Sequence, residues 1–188
     1  MKNETIQIKN VVCNRCIATV REILLRHKIP FSHITLGEAA IDRKLTAPEL
    51  RMLDQEFKEV GFEILQEKNE RIINNIKSII IEQVYENEMP EEKLSRVLSD
   101  RLHYDYSHLT NLFSRYEGRS ISSFQNTIRI ERVKELLEYD ELNISEIADC
   151  TGYSSAAYLS SSFRKSTGIS PSEYRAKRVK KRNTLDSL

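Results

Sequence analysis

Between Asn143 and Arg175 the chain crowds helix start and stop signals into one short stretch. Asn143-Ile-Ser-Glu146 is a capping box: the first side chain takes a free amide of the opening turn, and the Glu three residues on returns the favour. Gly152 permits the left-handed turn that ends such a helix. Leu159 and Phe163, four apart, share one side of a second helix over 154–167 that stops at Gly168, and Pro171 opens a third. Helices this short do not persist alone in water. They must pack across Gly152 as a helix-turn-helix, with Ile147, Ala148, Leu159 and Phe163 inside and Ala148 small enough for close approach. The other face, Ser154, Ser155, Ala157, Ser160 and Ser161, is then free to enter a major groove.

The stretch upstream is helical as well. The pattern predicts helices over Lys93–His103, Tyr106–Tyr116 and Ile121–Tyr139, the last amphipathic through Phe124, Ile128, Val133, Leu136 and Leu137. There is no repeat by identity, yet two helix-turn-helix units flank a long central helix. The run Glu146-Ile-Ala, Gly152-Tyr, Leu159, Phe163-Arg-Lys, Gly168, Ser170-Pro and Tyr174-Arg resembles the signature of the AraC/XylS family of bacterial regulators. Tyr106 to Gly118 is similar to that family's first recognition helix, and together the likeness covers about half the chain. It implies double-stranded DNA as partner and transcription regulation as function. In the first unit Leu109, Leu112 and Phe113 face inward and Ser107, His108, Thr110, Asn111 and Ser114 outward. Neither outward face carries Arg, Lys or Gln at its outermost positions, so bidentate guanine contacts are scarce. Asn111 suits adenine; the serines and Ala157 suit small contacts, thymine methyls included. Arg115, Arg164, Lys165 and the basic block from Arg175 to Arg182 are candidates for phosphate contacts, or for plain solvation. Net charge, only +1, decides nothing here.

The N-terminal part changes period. Residues 5–12 alternate as a strand; Ile17, Val20, Ile23, Leu24 and Leu25 recur at helical spacing until Pro30; 31–36 and 39–41 read as strands about Gly37. Thr46-Ala-Pro-Glu49 caps a helix with Leu50, Leu53, Phe57 and Val60 on one face, and 62–65 can be a last strand. The expected order is β-α-β-β-α-β, a ferredoxin-like split βαβ sandwich. Cys13 and Cys16 sit where a strand gives way to a helix, whose N-terminus favours thiolate, the metal-binding form. Two thiolates at this spacing can grip Cu(I) or supply half of a Zn(II) site. The element order, with Ala39-Ala-Ile41, Pro48-Glu-Leu50 and Val60-Gly-Phe62, resembles the heavy-metal-associated domain of copper chaperones over about residues 4–66. Val11 and Val12 stand where that family usually has Met and often has Thr. A redox-active dithiol and a metal-free interaction module are the competing readings of the pair. His27 and His33 are candidates to complete a zinc site, or simply surface histidines.

Residues 68–88 carry Ile72, Ile73, Ile76, Ile79, Ile80 and Val84 on one helical side. That side either packs on a neighbouring domain or pairs two copies as a homodimer. The expected fold class is therefore α+β: a ferredoxin-like domain over 1–67, a connecting helix over 68–88, an all-α double helix-turn-helix domain over 89–177 and a basic flexible tail over 178–188. No run of residues approaches a membrane span and no signal-peptide core opens the chain, so a cytoplasmic site is expected. No Ser/His/Asp set, phosphate loop or HExxH pair points to an enzyme. The combined expectation is a DNA-binding regulator that responds to a soft metal (copper, zinc or cadmium) at Cys13 and Cys16, with a metallochaperone as the remoter alternative.

Overall fold

The computed structural model describes residues 4–65, 67–85 and 93–179. It is a mixed α+β chain with a small antiparallel sheet at the N-terminal end and helices thereafter. Compactness divides it into Met1–Ile79 with Leu98–Leu112, and Ile80–Val97 with Phe113–Leu188. Residues 86–88, expected to end the connecting helix, and 180–188, expected as the basic tail, lie outside the described residues.

In the first unit the order is β1 (Glu4–Lys9), α1 (Asn14–Arg26), β2 (Phe31–Thr35), β3 (Glu38–Ile41), α2 (Ala47–Glu59) and β4 (Glu63–Leu65). The sheet runs β2-β3-β1-β4, antiparallel at each pairing. One face meets α1 and α2 through Ile6, Ile8, Ala39, Ile41 and Ile64 against Val20, Leu24, Leu53 and Phe57. The expected first strand over 5–12 stops early: Asn10 turns left-handed (φ 69°) and its amide donates to Gly61 O at 2.9 Å. Val11 then drops into the core and Val12 faces out. Leu25 is likewise exposed, because only Leu24 of that pair falls on the buried stripe of α1. The Thr46 capping box forms as expected. Arg43 donates twice to Glu49, at 3.0 and 2.6 Å. This pairing, with help from Thr46, holds the Glu49 carboxyl down to about 2.

The connecting helix is α3 (Lys68–Tyr85), and its isoleucines are buried within the chain. Pairing two copies through that face would first require exposing them. Residues 71–78 lie against the other side of the sheet. Asn74, buried, donates its amide to Gly37 O at 3.2 Å and to Gln7 Oε1 at 3.4 Å. Arg71 Nε donates to Leu65 O at 3.0 Å. Gly37 sits at φ 85°, and a Cβ there would lie 2.5 Å from Ser78 Oγ and 2.7 Å from Asn74 Nδ2. The β2–β3 turn thus needs glycine twice over, for its dihedral and for the approach of α3.

The remaining helices are α4 (Leu94–Leu102), α5 (Tyr106–Glu117), α6 (Ile121–Tyr139), α7 (Ile144–Cys150), α8 (Ala156–Thr167) and α9 (Pro171–Val179). In the second unit Ile130, Val133, Leu136 and Leu137 of α6 form one core with Ile147 and Ala148 of α7 and Leu159 and Phe163 of α8. Tyr85 of α3 belongs to this unit, with Arg132 of α6 over its ring at 5.1 Å. Among the described residues no helix is long and apolar enough to cross a membrane.

Candidate DNA-reading faces and the cysteine pair

Helix α7 begins on the expected reciprocal cap. Asn143 Oδ1 accepts from the Ser145 and Glu146 amides at 2.9 and 3.0 Å, and Glu146 Oε2 accepts from Asn143 N at 2.7 Å. Gly152 is left-handed (φ 70°). The chain re-enters helix at Ala156, two residues later than expected, because Ser155 serves as the cap and takes the Tyr158 amide at 3.1 Å. Leu159 and Phe163 are completely buried. Ser154, Ser155, Ala157, Ser161, Arg164 and Lys165 are exposed, so the serine side looks away from the protein's interior; Ser160 is half-buried at its border. In α5 Leu109 and Phe113 are completely buried, while Ser107, His108, Asn111, Ser114 and Arg115 are exposed. Thr110 is half-buried and spends its hydroxyl on Ser107 O at 2.9 Å.

The two units repeat at one constant offset that sequence identity hides. Leu109 corresponds to Leu159, Phe113 to Phe163, Gly118 to Gly168, the cap Ser120 to Ser170, and Phe124 to Tyr174. The matching ring pairs have nearly the same separation: Phe113–Phe124 centroids are 5.7 Å apart and Phe163–Tyr174 centroids 5.5 Å. Ahead of α5 and α8, one residue short of that offset, left-handed His103 (φ 57°) stands where Gly152 does, and Tyr104 where Tyr153 does.

Residues 98–177 match the family model described as a helix-turn-helix domain. The chain is 33% identical over 110 residues to an uncharacterized HTH-type transcriptional regulator of Staphylococcus aureus (strain MSSA476), a match covering 58% of this chain and 15% of that protein. Against the uncharacterized HTH-type transcriptional regulator YtdP of Bacillus subtilis (strain 168) it is 29% identical over 96 residues, covering 51% and 12%. The chain therefore spans only a small part of the length of these relatives. Among solved structures, the C-terminal domain of AraT, a response regulator from Geobacillus stearothermophilus, superposes with a TM-score of 0.53 at 27% identity, covering 60% of this chain and 89% of that one. Residues 98–177 of this chain are thus a helix-turn-helix domain of the kind carried by HTH-type transcriptional regulators.

Within this helix-turn-helix domain several side chains that hold α8 escaped the sequence pattern. Asn126 Oδ1, on α6, accepts from Tyr153 OH at 3.1 Å and from Ser162 Oγ at 3.0 Å. Burial pushes the Tyr153 hydroxyl up, so it stays protonated and available as donor. Arg175, first of the basic block, is engaged at home: Nη2 donates to Leu142 O at 2.6 Å, and Nε lies 3.2 Å from Asp140 Oδ1. The outward face of α8 also holds Tyr158, 60% exposed, absent from the sequence-derived set. Its spacing from Ser154 and Ser161, four and three residues, was the available signal.

Outside that domain, Cys13 is the N-cap of α1 and Cys16 lies in its first turn. Their sulfurs are 3.3 Å apart and both residues are free and half-buried. The Cys13 thiol is drawn below its ordinary value, first by the Cys16 backbone amide, then by the Cys16 thiol, with Arg15 adding to both effects. Among the described residues no third His, Cys, Asp or Glu joins them in a metal-holding group. His27 is at the far end of α1, with Nε2 2.6 Å from Glu56 Oε1, and His33 is exposed on β2. Two thiolates suit a two-coordinate soft ion or one half of a tetrahedral site, and zinc at about 2.3 Å from each sulfur would hold them about 3.8 Å apart, wider than they stand here.

Proposed function

We propose that the protein is a sequence-specific DNA-binding transcription regulator, acting in the cytoplasm, whose N-terminal β-α-β-β-α-β unit is of the heavy-metal-associated, ferredoxin-like kind and senses a soft metal at Cys13 and Cys16. One observation carries the DNA-reading part: Leu159 and Phe163 are completely buried while Ser154, Ser155, Ala157 and Ser161 of the same segment face solvent. In α5, Ser107, His108, Asn111 and Arg115 have the matching disposition, with Thr110 and, in α8, Ser160 at the borders. Arg115, Arg164 and Lys165 supply phosphate contacts, and Asn111 reads adenine. A labelled duplex titrated at fixed salt tests this. A preference for one selected site over random DNA supports the regulator and excludes a metallochaperone that meets DNA incidentally. Asn111→Ala should weaken that site more than random DNA; equal losses on both remove Asn111 as a base reader.

The sensor part rests on two nearby thiols, one already inclined to thiolate, in the same chain as a DNA reader. Bound Cu(I) or Zn(II) would take both sulfurs and shift the DNA-reading half only if one arrangement of the chain binds it better. The expected result is a promoter response to copper, zinc or cadmium that Cys13→Ser/Cys16→Ser abolishes. An unchanged response in that variant leaves a regulator whose N-terminal unit is an interaction module. Loss of response to oxidant rather than metal makes the pair a redox dithiol.

A further inference from the structure

We propose that His108 and Tyr158 are the residues through which the two reading helices recognise thymine, each ring lying against the C5-methyl group of one base. The proposal rests on α5 and α8 being the DNA-reading helices.

The two rings occupy the same place. Each immediately precedes the buried leucine, Leu109 or Leu159, and each is exposed on the face opposite the Leu and Phe anchors. Each is also braced by the tyrosine of its preceding turn. Tyr104 and His108 stack at 5.3 Å, and Tyr153 meets Tyr158 edge-on at 5.9 Å. Behind each brace stands a cation: Lys68 Nζ is 5.8 Å from the Tyr104 ring centre, and Arg129 Cζ is 5.7 Å from that of Tyr153. The same three-part arrangement is thus built twice from different residues on different helices. Helix-core packing explains neither outer ring, since both are exposed.

The chemistry of the surrounding face selects the target. Ser107, Asn111 and Ser114 lie beside the ring on α5, and Ser154, Ala157 and Ser161 on α8, so the ring is the one aromatic group among small or polar neighbours in each cluster. The only apolar group that base edges offer in the major groove is the thymine methyl. A ring already braced by its neighbour loses little side-chain freedom when it meets that methyl.

The test starts from a randomised duplex library selected by the full chain. Binding is then measured on the selected duplex and on copies in which single thymines are replaced by deoxyuridine, which removes only the C5-methyl. For the unaltered chain, one replacement per reading helix should weaken binding about fourfold, as expected for about 0.8 kcal/mol of buried hydrocarbon. Tyr158→Ala should be indifferent to one of these replacements and His108→Ala to the other, while Tyr158→Phe keeps the sensitivity. Circular dichroism checks that the variants fold, which exposed positions allow. If the variants keep the methyl sensitivity of the unaltered chain on a genuinely selected site, the ring assignment falls and the regulator stands. If Tyr158→Phe loses as much as Tyr158→Ala, the hydroxyl is the contact, on a phosphate or a polar base edge, and the methyl reading is overturned. If the unaltered chain selects no sequence at all, both readings fall together.

Discussion

The two helix-turn-helix units share anchors but differ in how their turns and flanks are held. Leu109 and Phe113 do in one what Leu159 and Phe163 do in the other, and the ring partners Phe124 and Tyr174 are equivalent. At the turn, however, the first unit places a histidine in the left-handed region where the second uses glycine. The second also ties α8 to α6 through Asn126, and its flanking cap contains a titratable Glu173 where the first has Ser123. Anchors fix where α5 and α8 lie; polar braces and caps tune how firmly each copy is held.

The strongest way to break the equivalence is at the anchors. Phe113→Ala and Phe163→Ala should each cost about 3–5 kcal/mol, the range for truncating a buried phenylalanine. Urea unfolding of both variants checks this, and a cost below about 1 kcal/mol for either would end the parallel. Asn126→Ala comes next. It removes the acceptor shared by Tyr153 and Ser162 and should cost about 1–3 kcal/mol, with contacts made by α8 lost before those made by α5. Footprinting of a selected duplex would show a uniform loss if that separation is mistaken. His103→Gly should make the first turn resemble the second and gain up to about 1 kcal/mol by relieving a left-handed side-chain residue. A loss of thermal stability would mean that the His103 side chain matters more than its dihedral.

The smallest effect is electrostatic. Glu173 is held below the usual carboxylate range, chiefly by the Ser170 backbone amide and then by its hydroxyl. A depressed folded value means that its contribution is complete above the unfolded value of about 4.3 and disappears as pH falls through the lower folded one. The advantage of the native chain over Glu173→Gln should therefore shrink as pH falls below about 4.3, read as the difference in their thermal midpoints. The equivalent Ser123 has no such titration. A difference that stays constant across that range would rule out the cap as its origin.

Local chemistry made much of this legible in advance. Thr46 with Glu49, Asn143 with Glu146, Gly152, and the four-residue step from Leu159 to Phe163 each announce their structure within one or two helical turns. What escaped depended on distant partners or on a competing local pattern. Asn74 interrupts an isoleucine helix for a reason that lies at Gln7 and Gly37, remote in sequence. Tyr158 shares the spacing of Ser154 and Ser161, yet its exposure beside the buried Leu159 is plain only in the folded helix. The internal repeat stayed hidden because only anchors and caps are kept between the copies, too few positions to register as identity. The cysteine spacing was plain, but no pattern along the chain could tell that His27 would be taken by Glu56.

Helix α3 is shared: the compact unit holding the sheet takes it as far as Ile79, and the other takes it from Ile80. Its isoleucines are buried along that whole length. A chimera that swaps one half of this protein for a foreign counterpart cannot cut at either end of this helix without stripping apolar cover from one of the two pieces. The graft that keeps both pieces intact carries α3 with the sheet and recreates its last turn, around Tyr85 and Arg132, on the incoming side.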